Sequence, residues 1–327
     1  MTVPFVLGPG PVADHVARQL AATGGIDRVV LAQSGETDDR IVRVDWRVDS
    51  GLPDDATVVV STSPGRPGRD ERAAVAAALD AGLSVVSASD DHATVERLFD
   101  LDVDAATAGS RVVVGAGLAP GLSEVLASYA ASALDNAAEV HVARFGAASA
   151  PCRRALRRAA WGRVSEVDAG SDNVARAGTG RRLVAFPPPV GTHDCRRVVS
   201  AIPTLVARVL PQIERVTVRQ AMTRPGRLTG RPPLVGGSRR ASFGAVHVEV
   251  RGTRGAGTEI LTIGAVDHHA AITGAVLACG VAVVSGLVRG IDPPSAGAAG
   301  FAEMGPPSAL LADLRRRGVR AARFAGI

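Results

Sequence analysis

The sequence predicts an α/β protein, with a doubly wound parallel sheet at the N-terminus and then an α+β domain built on a mainly antiparallel sheet. In the first third of the chain, nearly unbroken valine-rich runs alternate with helical segments, as in parallel sheets covered on both faces. Residues 244–250 instead alternate apolar and polar side chains, which is typical of an antiparallel strand with one solvated face. With 327 residues, 46% of them hydrophobic and 21% charged, the chain is long enough for two domains with ample cores.

The N-terminal residues form the most informative unit. The apolar run at 3–7 predicts a strand, residues 8–13 (Gly-Pro-Gly-Pro-Val-Ala) a turn, and residues 15–22 an amphipathic helix. A G-x-G-x-x-A turn between a strand and a helix is typical of the Rossmann fold, in which the helix N-terminus binds a dinucleotide pyrophosphate. The residues expected to bind the phosphates are Gly8, Gly10, Pro11, Val12 and Ala13. The alternative is a tight turn that binds nothing, and two prolines remove N–H donors from it.

Further strands and helices follow at short intervals. Strands are predicted at 28–32, 41–45, 56–61, 83–87 and 111–114, and helices at 71–81 and from about 91 to 99. Because ligands bind beyond the carboxyl ends of parallel strands, the turns after these strands form the expected ligand edge.

Two of these turns have specific expected roles. Residues 32–34 (Ala-Gln-Ser) offer no carboxylate to a ribose 2′-hydroxyl, and Arg40 follows closely enough in sequence to pair with a 2′-phosphate. We therefore expect Ser34 and Arg40 to bind the ribose end of NADP in preference to NAD, unless acidic residues at 36, 38 and 39 point inward. The residues expected near the nicotinamide ribose are Ser61, Thr62, Ser63 and Pro64, with an ordinary polar loop as the alternative.

The expected domains are a Rossmann domain at 1–135, an α+β substrate and dimerisation domain at 136–265, and C-terminal helices at 266–327 that pack back on the first domain. In the second and third parts, strands are predicted at 139–145, 213–220, 243–251 and 259–263, a loop at 186–191 and a helix at 308–317. The uncharged stretch 270–288 predicts a helix buried in a core or a subunit interface, with membrane contact as the alternative.

Composition excludes several classes of function. The chain contains no lysine, so all 37 basic residues are arginines, and a pyridoxal Schiff base or a P-loop lysine is impossible. The only tyrosine, Tyr129, is followed four residues on by Ala133, which excludes a Tyr-x-x-x-Lys relay. The net charge of +5 comes from scattered arginines with 3% aromatic residues, which indicates codon bias and not nucleic-acid binding. Three widely spaced cysteines predict no metal site and no disulfide, and with no signal-peptide pattern they favour the cytoplasm.

A second glycine turn indicates a family. Residues 112–127 contain a valine-rich strand, the turn 117–122 (Gly-Leu-Ala-Pro-Gly-Leu) and a helix, and this segment resembles the saccharopine dehydrogenase-like family. Other segments that agree with the family in order are the N-terminal glycine turn and residues 63–64, 243–251 and 272–274. The resemblance implies a Rossmann domain, an inserted α+β domain for substrate and dimer contacts, and a nicotinamide cofactor, and we expect Gly117 at its site. It does not imply the saccharopine reaction, because the lysine that such enzymes use in acid–base chemistry is absent.

Together these patterns predict an NAD(P)-dependent oxidoreductase that transfers hydride to or from a C=N, C=O or conjugated C=C bond of a small or carrier-bound metabolite. An acid must usually protonate the heteroatom, and His193, on an expected loop, and His268, before the apolar helix, are the candidates. A solvated loop histidine is the alternative for each. The arginines at 153, 154, 157 and 158 are expected to face solvent on a helix.

Two other functions stay open at this point. One is a trans-acting enoyl reductase of a biosynthetic pathway, and the other is a non-catalytic NAD(P)-binding sensor or partner subunit. We expect a homodimer and no bound metal, nucleic acid or membrane.

Overall fold

A computed structural model describes residues 2–63, 69–147, 150–168, 171–222 and 243–324. The strands are β1 (Pro4–Leu7), β2 (Val29–Leu31), β3 (Ile41–Arg43), β4 (Val58–Ser61), β5 (Ser84–Ser87), β6 (Arg111–Val114), β7 (Asn136–Phe145), β8 (Arg163–Asp168), β9 (Ser171–Arg176), β10 (Arg182–Phe186), β11 (Gly191–Arg197), β12 (Arg215–Ala221), β13 (Phe243–Arg254), β14 (Gly257–His268), β15 (Gly297–Gly300) and β16 (Ala321–Arg323). The helices are α1 (Pro11–Ala21), α2 (Arg69–Asp80), α3 (His92–Phe99), α4 (Asp102–Thr107), α5 (Leu122–Ala131), α6 (Ala150–Ala159), α7 (Ile202–Val209), α8 (His269–Val284) and α9 (Pro307–Arg316).

The chain forms two compact units. The first unit contains Met1–Gly121 and Ala270–Gly318, and the second contains Leu122–His269 and Val319–Ile327. Each unit is built around its own sheet.

The first unit is built on a parallel sheet. Across its described residues the strand order is β15-β6-β5-β4-β1-β2-β3, and each printed pairing is parallel. The chain places β2 and β3 on one side of β1 and then returns to place β4, β5 and β6 on the other. This order is that of a doubly wound dinucleotide-binding sheet, with its switch point between β1 and β4. The predicted fold class of the N-terminal part is confirmed.

Aliphatic side chains make the core of the first unit. Phe5 on β1 aligns with Val30 on β2 and with Val59 on β4, and all three are buried. Helix α1 buries one face of i and i+4 residues, from Val12 through Val16 to Leu20, against this sheet. The predicted strands and helices of this part appear within a few residues of their expected bounds, because the local pattern of burial specifies them.

The C-terminal part of the chain adds elements that the sequence pattern did not predict. Strand β15 pairs in parallel with β6 at the sheet edge, although its sequence, Gly-Ala-Ala-Gly, has none of the branched side chains that favour strands. Helix α8 is buried almost throughout, as expected for the uncharged stretch. In the described part of the chain, no helix has the length and apolarity needed to cross a membrane.

The second unit is built on a mixed, mainly antiparallel sheet. In its described residues the main strand order is β10-β11-β12-β7-β13-β14-β16, with β8 pairing with β12 and β9 with β8. Only the β12–β7 pairing is parallel among those printed for this sheet. The sheet curls, so that the edge strand β10 reaches β13 and His247 Nδ1 lies 2.9 Å from the carbonyl oxygen of Ala185. The expected mainly antiparallel α+β domain is confirmed.

Strands β8 to β11 were not predicted from the sequence. Their residues are rich in Arg, Asp, Ser and Gly and lack a clean apolar alternation, as β11 (Gly-Thr-His-Asp-Cys-Arg-Arg) illustrates. Strand β11 is held by β10 on one side and β12 on the other, so pairing with neighbours replaces the local signal. The expected loop at 186–191 is the turn that joins β10 to β11.

Candidate cofactor site

The carboxyl ends of β1 and β4 lie side by side at the switch point of the first-unit sheet. Leu7, at the end of β1, aligns with Ser61, at the end of β4. Gly8 and Thr62 therefore follow these strands at the same edge. In open α/β sheets a crevice forms at this point, since the chain connections leave it in opposite directions.

The glycine turn is shaped by two glycines with left-handed backbone conformations. Gly8 has φ +102° and Gly10 has φ +106°. A side chain at Gly8 would collide with Thr62 Oγ1, which donates a hydrogen bond of 2.9 Å to the carbonyl oxygen of Leu7. At Gly10, by contrast, no atom lies within 4 Å of the place that a Cβ would occupy. Thr62 therefore fills the space beside Gly8, whereas the space beside Gly10 is open. A pyrophosphate needs such open space next to the backbone of the turn.

Helix α1 supplies the donors of the turn. It begins at Pro11, and the N–H groups of Val12 and Ala13 have no acceptor within the helix because they lie in its first turn. The N–H of Gly10 donates to Gln33 Oε1 at 3.0 Å, so that donor already has a partner in this structure. Two first-turn N–H groups at the positive end of a helix dipole fit an anionic group. The predicted pyrophosphate residues thus lie together.

A cavity of about 510 Å³ lies beyond the ends of β2 and β3. Its lining residues are Asp14, Gln33, Ser34, Gly35, Glu36, Thr37, Asp38 and Arg43. Ser34 lies here, as predicted for the ribose end of the cofactor. Arg40 does not: it precedes β3, and its guanidinium donates to the carbonyl oxygen of Ile26. The arginine of the cavity is Arg43, the last residue of β3.

Carboxylates outnumber cations in this cavity. Arg43 is its one arginine among the lining residues, and its Nη2 lies 2.9 Å from Asp14 Oδ1. Glu36 and Asp38 also line the cavity, and Asp38 Oδ1 accepts hydrogen bonds from two backbone N–H groups at 2.8 and 2.7 Å. A 2′-phosphate would meet three carboxylates and one guanidinium that is already paired. The arrangement favours a hydroxyl over a phosphate.

The ends of β4 to β6 continue the same edge. Ser61 and Thr62 are buried and Ser63 is half-buried, whereas Pro64 lies outside the described residues. Gly117 belongs to a closed turn in which its N–H donates to the carbonyl oxygen of Pro120 at 2.9 Å. Gly121 closes this turn with φ +119°, and a Cβ there would lie 2.6 Å from the carbonyl oxygen of Gly115. Only glycine fits that position, which explains the motif in physical terms.

The two candidate acids belong to the second unit. The prediction of a loop at His193 is wrong: the residue lies within β11, opposite Val184, because the turn between β10 and β11 is short. Its Nε2 lies 3.2 Å from the carbonyl oxygen of Val190, and its ring centroid is 4.7 Å from that of Phe145. His268 ends β14, is exposed, and stacks on Phe243 with ring centroids 5.1 Å apart.

The second-unit sheet carries a polar cluster, defined here as His141, Thr217, Glu249, Arg182 and Arg251. His141 Nδ1 lies 2.8 Å from Thr217 Oγ1. Glu249 Oε2 lies 2.9 Å from Arg182 Nη2, and Glu249 Oε1 accepts a bond of 2.7 Å from Arg251 Nε. Burial alone would raise the pKa of Glu249, but the Arg251 hydrogen bond and the Arg182 charge lower it below its usual value. Glu249 thus has two guanidinium partners within the cluster, and His141 Nε2 lies 2.9 Å from Glu139 Oε2 outside it.

Three buried or half-buried imidazoles of this unit have lowered pKa values. Burial lowers the pKa of His141 and of His247 below the usual histidine value. Burial, together with the Arg144 cation, lowers the pKa of His269 to about 4. All three imidazoles are therefore neutral at pH 7.

Comparison with known proteins supports the fold. No protein-family model matches the chain, and no curated protein matches it in sequence. Apo histidine-tagged saccharopine dehydrogenase (L-Glu forming) from Saccharomyces cerevisiae superposes with a TM-score of 0.64 at 14% identity, covering 99% of this chain and 100% of that one. The fold is that of saccharopine dehydrogenase.

Two further solved structures share the saccharopine dehydrogenase fold. The C. glutamicum DAP dehydrogenase in complex with DAP has a TM-score of 0.55 at 16% identity and covers 97% of this chain and 98% of that one. An engineered D-amino acid dehydrogenase bound to NADP+ has a TM-score of 0.50 at 16% identity and covers 97% and 99%. The resemblance inferred from residues 112–127 is confirmed at the level of the fold.

Sequence reasoning missed Arg43 and Asp14 in this cavity, although a signal for Arg43 was present. A residue before a parallel strand lies at the opposite edge of the sheet from one that ends it. Since a strand was predicted from residue 41, Arg40 belonged to the amino edge and Arg43 to the ligand edge. Asp14 gave no such signal, because its contact with Arg43 joins residues 29 positions apart.

Proposed function

We propose that this protein is an NAD-dependent oxidoreductase that transfers hydride to or from a carbon–nitrogen bond of a small metabolite. The observation that carries the proposal is the glycine turn at the switch point. Gly10 has open space above it, and the first turn of α1 points its N–H groups there. A sheet of this order with this turn is the standard cradle of a nicotinamide dinucleotide.

The choice of NAD over NADP rests on the charges of the ribose cavity. The expectation of NADP depended on Arg40, whose guanidinium instead bonds to Ile26. The arginine that does line the cavity is paired with Asp14, and Glu36 and Asp38 add two more carboxylates. A ribose 2′-hydroxyl can donate to a carboxylate, whereas a 2′-phosphate is repelled by it.

Each part of the cofactor edge then has a role. Val12 and Ala13 bind the pyrophosphate, and Gln33 exchanges its bond to Gly10 for one to the ligand. Ser61 and Thr62 flank the nicotinamide ribose. When bound, the cofactor accepts or donates the hydride. The chain must hold or release one proton, and His268 is our candidate because its imidazole is exposed, whereas His193 is packed on Phe145.

The substrate class is proposed from the similar structures. The three solved structures described above are named as dehydrogenases of saccharopine, DAP and D-amino acids. We extend the carbon–nitrogen bond to this protein on that ground. Substrates with C=O and conjugated C=C bonds belong in the same screen, because the same bound cofactor could transfer hydride to any of these bonds.

A titration with NADH and NADPH, followed by nicotinamide fluorescence, tests the cofactor site. We expect saturable binding of NADH, with NADPH at least tenfold weaker. Gly10→Ala fills the open space above the turn and weakens NADH binding at least tenfold. Gly51→Ala is the matched control, since Gly51 also has a positive φ and no atom near its Cβ position but lies outside the site. Failure of the wild-type protein to bind either cofactor would overturn the proposal.

Turnover is tested separately with a panel of imino-acid, keto-acid and enoyl substrates, followed at the absorbance of the reduced nicotinamide. We expect turnover with a 2-keto acid plus an ammonium source, which together supply the imine, and a rate loss of about 100-fold or more in His268→Asn. The same substitution at His193 is expected to leave the rate within a few-fold.

A nucleotide-binding protein without turnover is the second candidate. It is favoured by Pro11, which has no N–H at the first position of α1, and by the bond between Gly10 and Gln33 that a ligand must displace. Binding of NADH without turnover on the whole panel would establish this second function in place of the first.

A further inference from the structure

A cavity in the second unit shares no lining residue with the polar cluster. It has a volume of about 1070 Å³ and is lined by residues of α6, β8, β9, β11 and the turn that follows β9. We call it the arginine cavity and define it by Arg157, Trp161, Arg163, Val174, Arg176 and Arg196. Nothing in the proposed oxidoreductase function uses these residues.

The charge of this cavity has one sign. Four arginines line it, and no aspartate or glutamate is among its lining residues. Arg196 Nη1 donates to the carbonyl oxygen of Gly178 at 2.9 Å. Within the described residues, no ion pair is found for Arg157, Arg163 or Arg176. Neighbouring arginines of the unit do pair, as Arg197 does with Glu166 at 2.6 Å.

Two of the four arginines face each other across a strand pair. Arg163 on β8 lies directly opposite Arg176 on β9 in an antiparallel register. Both side chains are exposed on the same face. Like charges in this position destabilise a sheet, and a bound anion removes the repulsion. The folded chain therefore has a favourable place for an anionic group between these two guanidinium groups.

Large apolar side chains stand uncovered beside the arginines. Trp161 is 62% exposed and Val174 is 45% exposed. Trp161 ends the turn after α6, where its backbone N–H donates to the carbonyl oxygen of Arg158 at 3.0 Å, so the backbone that carries the ring is fixed. An exposed indole beside a cluster of arginines suits a planar ligand that also carries negative charge.

We propose that the arginine cavity binds a small nucleotide-type anion, meaning a planar aromatic ring joined to phosphate groups. The phosphates lie between Arg163 and Arg176, with Arg157 and Arg196 beside them, and the ring stacks on Trp161. Guanidinium groups bind phosphate oxygens through paired N–H donors. A volume of about 1070 Å³ suits one small ligand, not a polymer.

Tryptophan fluorescence tests this site directly. The chain has two tryptophans, so the Trp46→Phe protein keeps Trp161 as its only one. In this background, ATP, inorganic triphosphate and adenosine are titrated at low ionic strength. We expect saturable quenching by ATP, weaker binding of triphosphate by at least fivefold, and no saturation by adenosine. Replacing Arg163 and Arg176 together by alanine is expected to weaken ATP binding at least tenfold.

A matched control separates a site from general positive charge. Arg153 and Arg154 are exposed on α6 but do not line the cavity, so Arg153→Ala with Arg154→Ala removes the same charge from the same unit. We expect ATP affinity within twofold of the parent, and unchanged circular dichroism for both double variants. Equal weakening in both, equal affinity for ATP and triphosphate, absence of saturable quenching, or tighter binding of an oligonucleotide than of ATP would each overturn the proposal.

Discussion

The two units of the molecule bury different kinds of side chain. In the first unit the central strands bury aliphatic residues, such as Val59 and Val60 on β4 and Val112 and Val113 on β6. In the second unit the sheet buries His141, Glu166, His247 and Glu249 along with its aliphatic core. Among the described residues of the first unit, a buried ion pair joins Asp313 and Arg317 of the C-terminal segment at 2.6 Å.

The difference follows from the sheets. A parallel sheet with helices on both faces has no solvated face, so its central strands are apolar except at their ends, where serines such as Ser61 and Ser87 lie. The second-unit sheet carries α5 and α7 on one face and curls over the other, where β10 approaches β13. Polar residues that an antiparallel strand would show to solvent are there enclosed and paired with one another. We therefore expect the stability of the first unit to depend on side-chain volume in its core, and the stability of the second unit to depend on pH.

The largest expected effect is that of Gly274→Val in α8. A Cβ at Gly274 would lie 2.8 Å from His15 Cβ and 2.9 Å from the backbone nitrogen of Val16, so α8 and α1 are in backbone contact there. We expect a loss of more than about 3 kcal/mol in the free energy of unfolding, because α1 cannot yield without moving the glycine turn. Urea denaturation measures it.

Ala271→Val is the control for that substitution. Ala271 is a half-buried residue of the same helix, and the change also introduces a valine, with two added carbons instead of three. We expect this substitution to lower the free energy of unfolding by less than about 1 kcal/mol. If both variants lost a similar free energy of unfolding, the close contact between α1 and α8 would not be what makes Gly274 intolerant of a larger side chain.

Acidification is the second test, and it addresses the second unit. In the unfolded chain a histidine takes up a proton near its ordinary pKa of 6.5, whereas folded His269 stays neutral down to a pKa of about 4. The unfolded state therefore binds more protons between these values, and the free energy of unfolding falls as the pH drops below 6.5. At pH 5 the titration of His269 alone lowers the free energy of unfolding by about 2 kcal/mol. The lowered pKa values of His141 and His247 act in the same direction.

Amide hydrogen exchange at pH 7.5 and pH 5 shows which strands lose stability on acidification. The measured rates are first corrected for the intrinsic exchange rate at each pH. We expect roughly 30-fold less protection in β7, β13 and β14, and little change in β1 and β4. His269→Gln removes the titration and should reduce the pH dependence of the second unit. An equal loss of protection in both units at pH 5 would mean that the comparison between them is wrong.

The smallest effect on stability is expected from Asp14→Asn, at the ligand edge of the first unit. The substitution frees Arg43 and removes one carboxylate from the ribose cavity. We expect the ratio of NADPH to NADH affinity to rise about tenfold, which is about 1.4 kcal/mol of binding free energy. The free energy of unfolding should change by less than about 1 kcal/mol, since an ion pair that solvent still reaches contributes little.

Asp55→Asn provides the comparison for the cavity. Asp55 also pairs with an arginine, Arg28, in the same unit, but neither residue lines the cavity. The Asp55→Asn substitution should leave the ratio of NADPH to NADH affinity unchanged. If Asp14→Asn left that ratio unchanged as well, the cavity would not hold the ribose.

Much of the first unit was predictable from the sequence, because its signals are local. The strand, glycine turn and helix at residues 3–22 lie within one short segment, and the periodic burial of Val12, Val16 and Leu20 appears in the pattern itself. The turn at 117–121 was visible for the same reason, since a glycine at a positive φ has a local cause.

The candidate site was predictable in part. The glycine turn and Ser34 lie at the predicted edge of the sheet. Arg40 lies at the other end of β3, and Arg43 lines the cavity instead, because strand direction decides which end of β3 faces that edge. The loop expected at His193 is a strand because β10 and β12 pair with it from both sides.

What the sequence by itself determined is therefore the N-terminal elements, the two glycine turns and the class of the fold, each encoded by neighbours along the chain. The tertiary structure decided which distant segments pair. It placed β15 beside β6, enclosed Glu249 between Arg182 and Arg251, and gathered the arginine cavity from separate strands and a helix. The physical reason is that a long-range contact depends on the free energy of the whole packing, which no single stretch of residues contains.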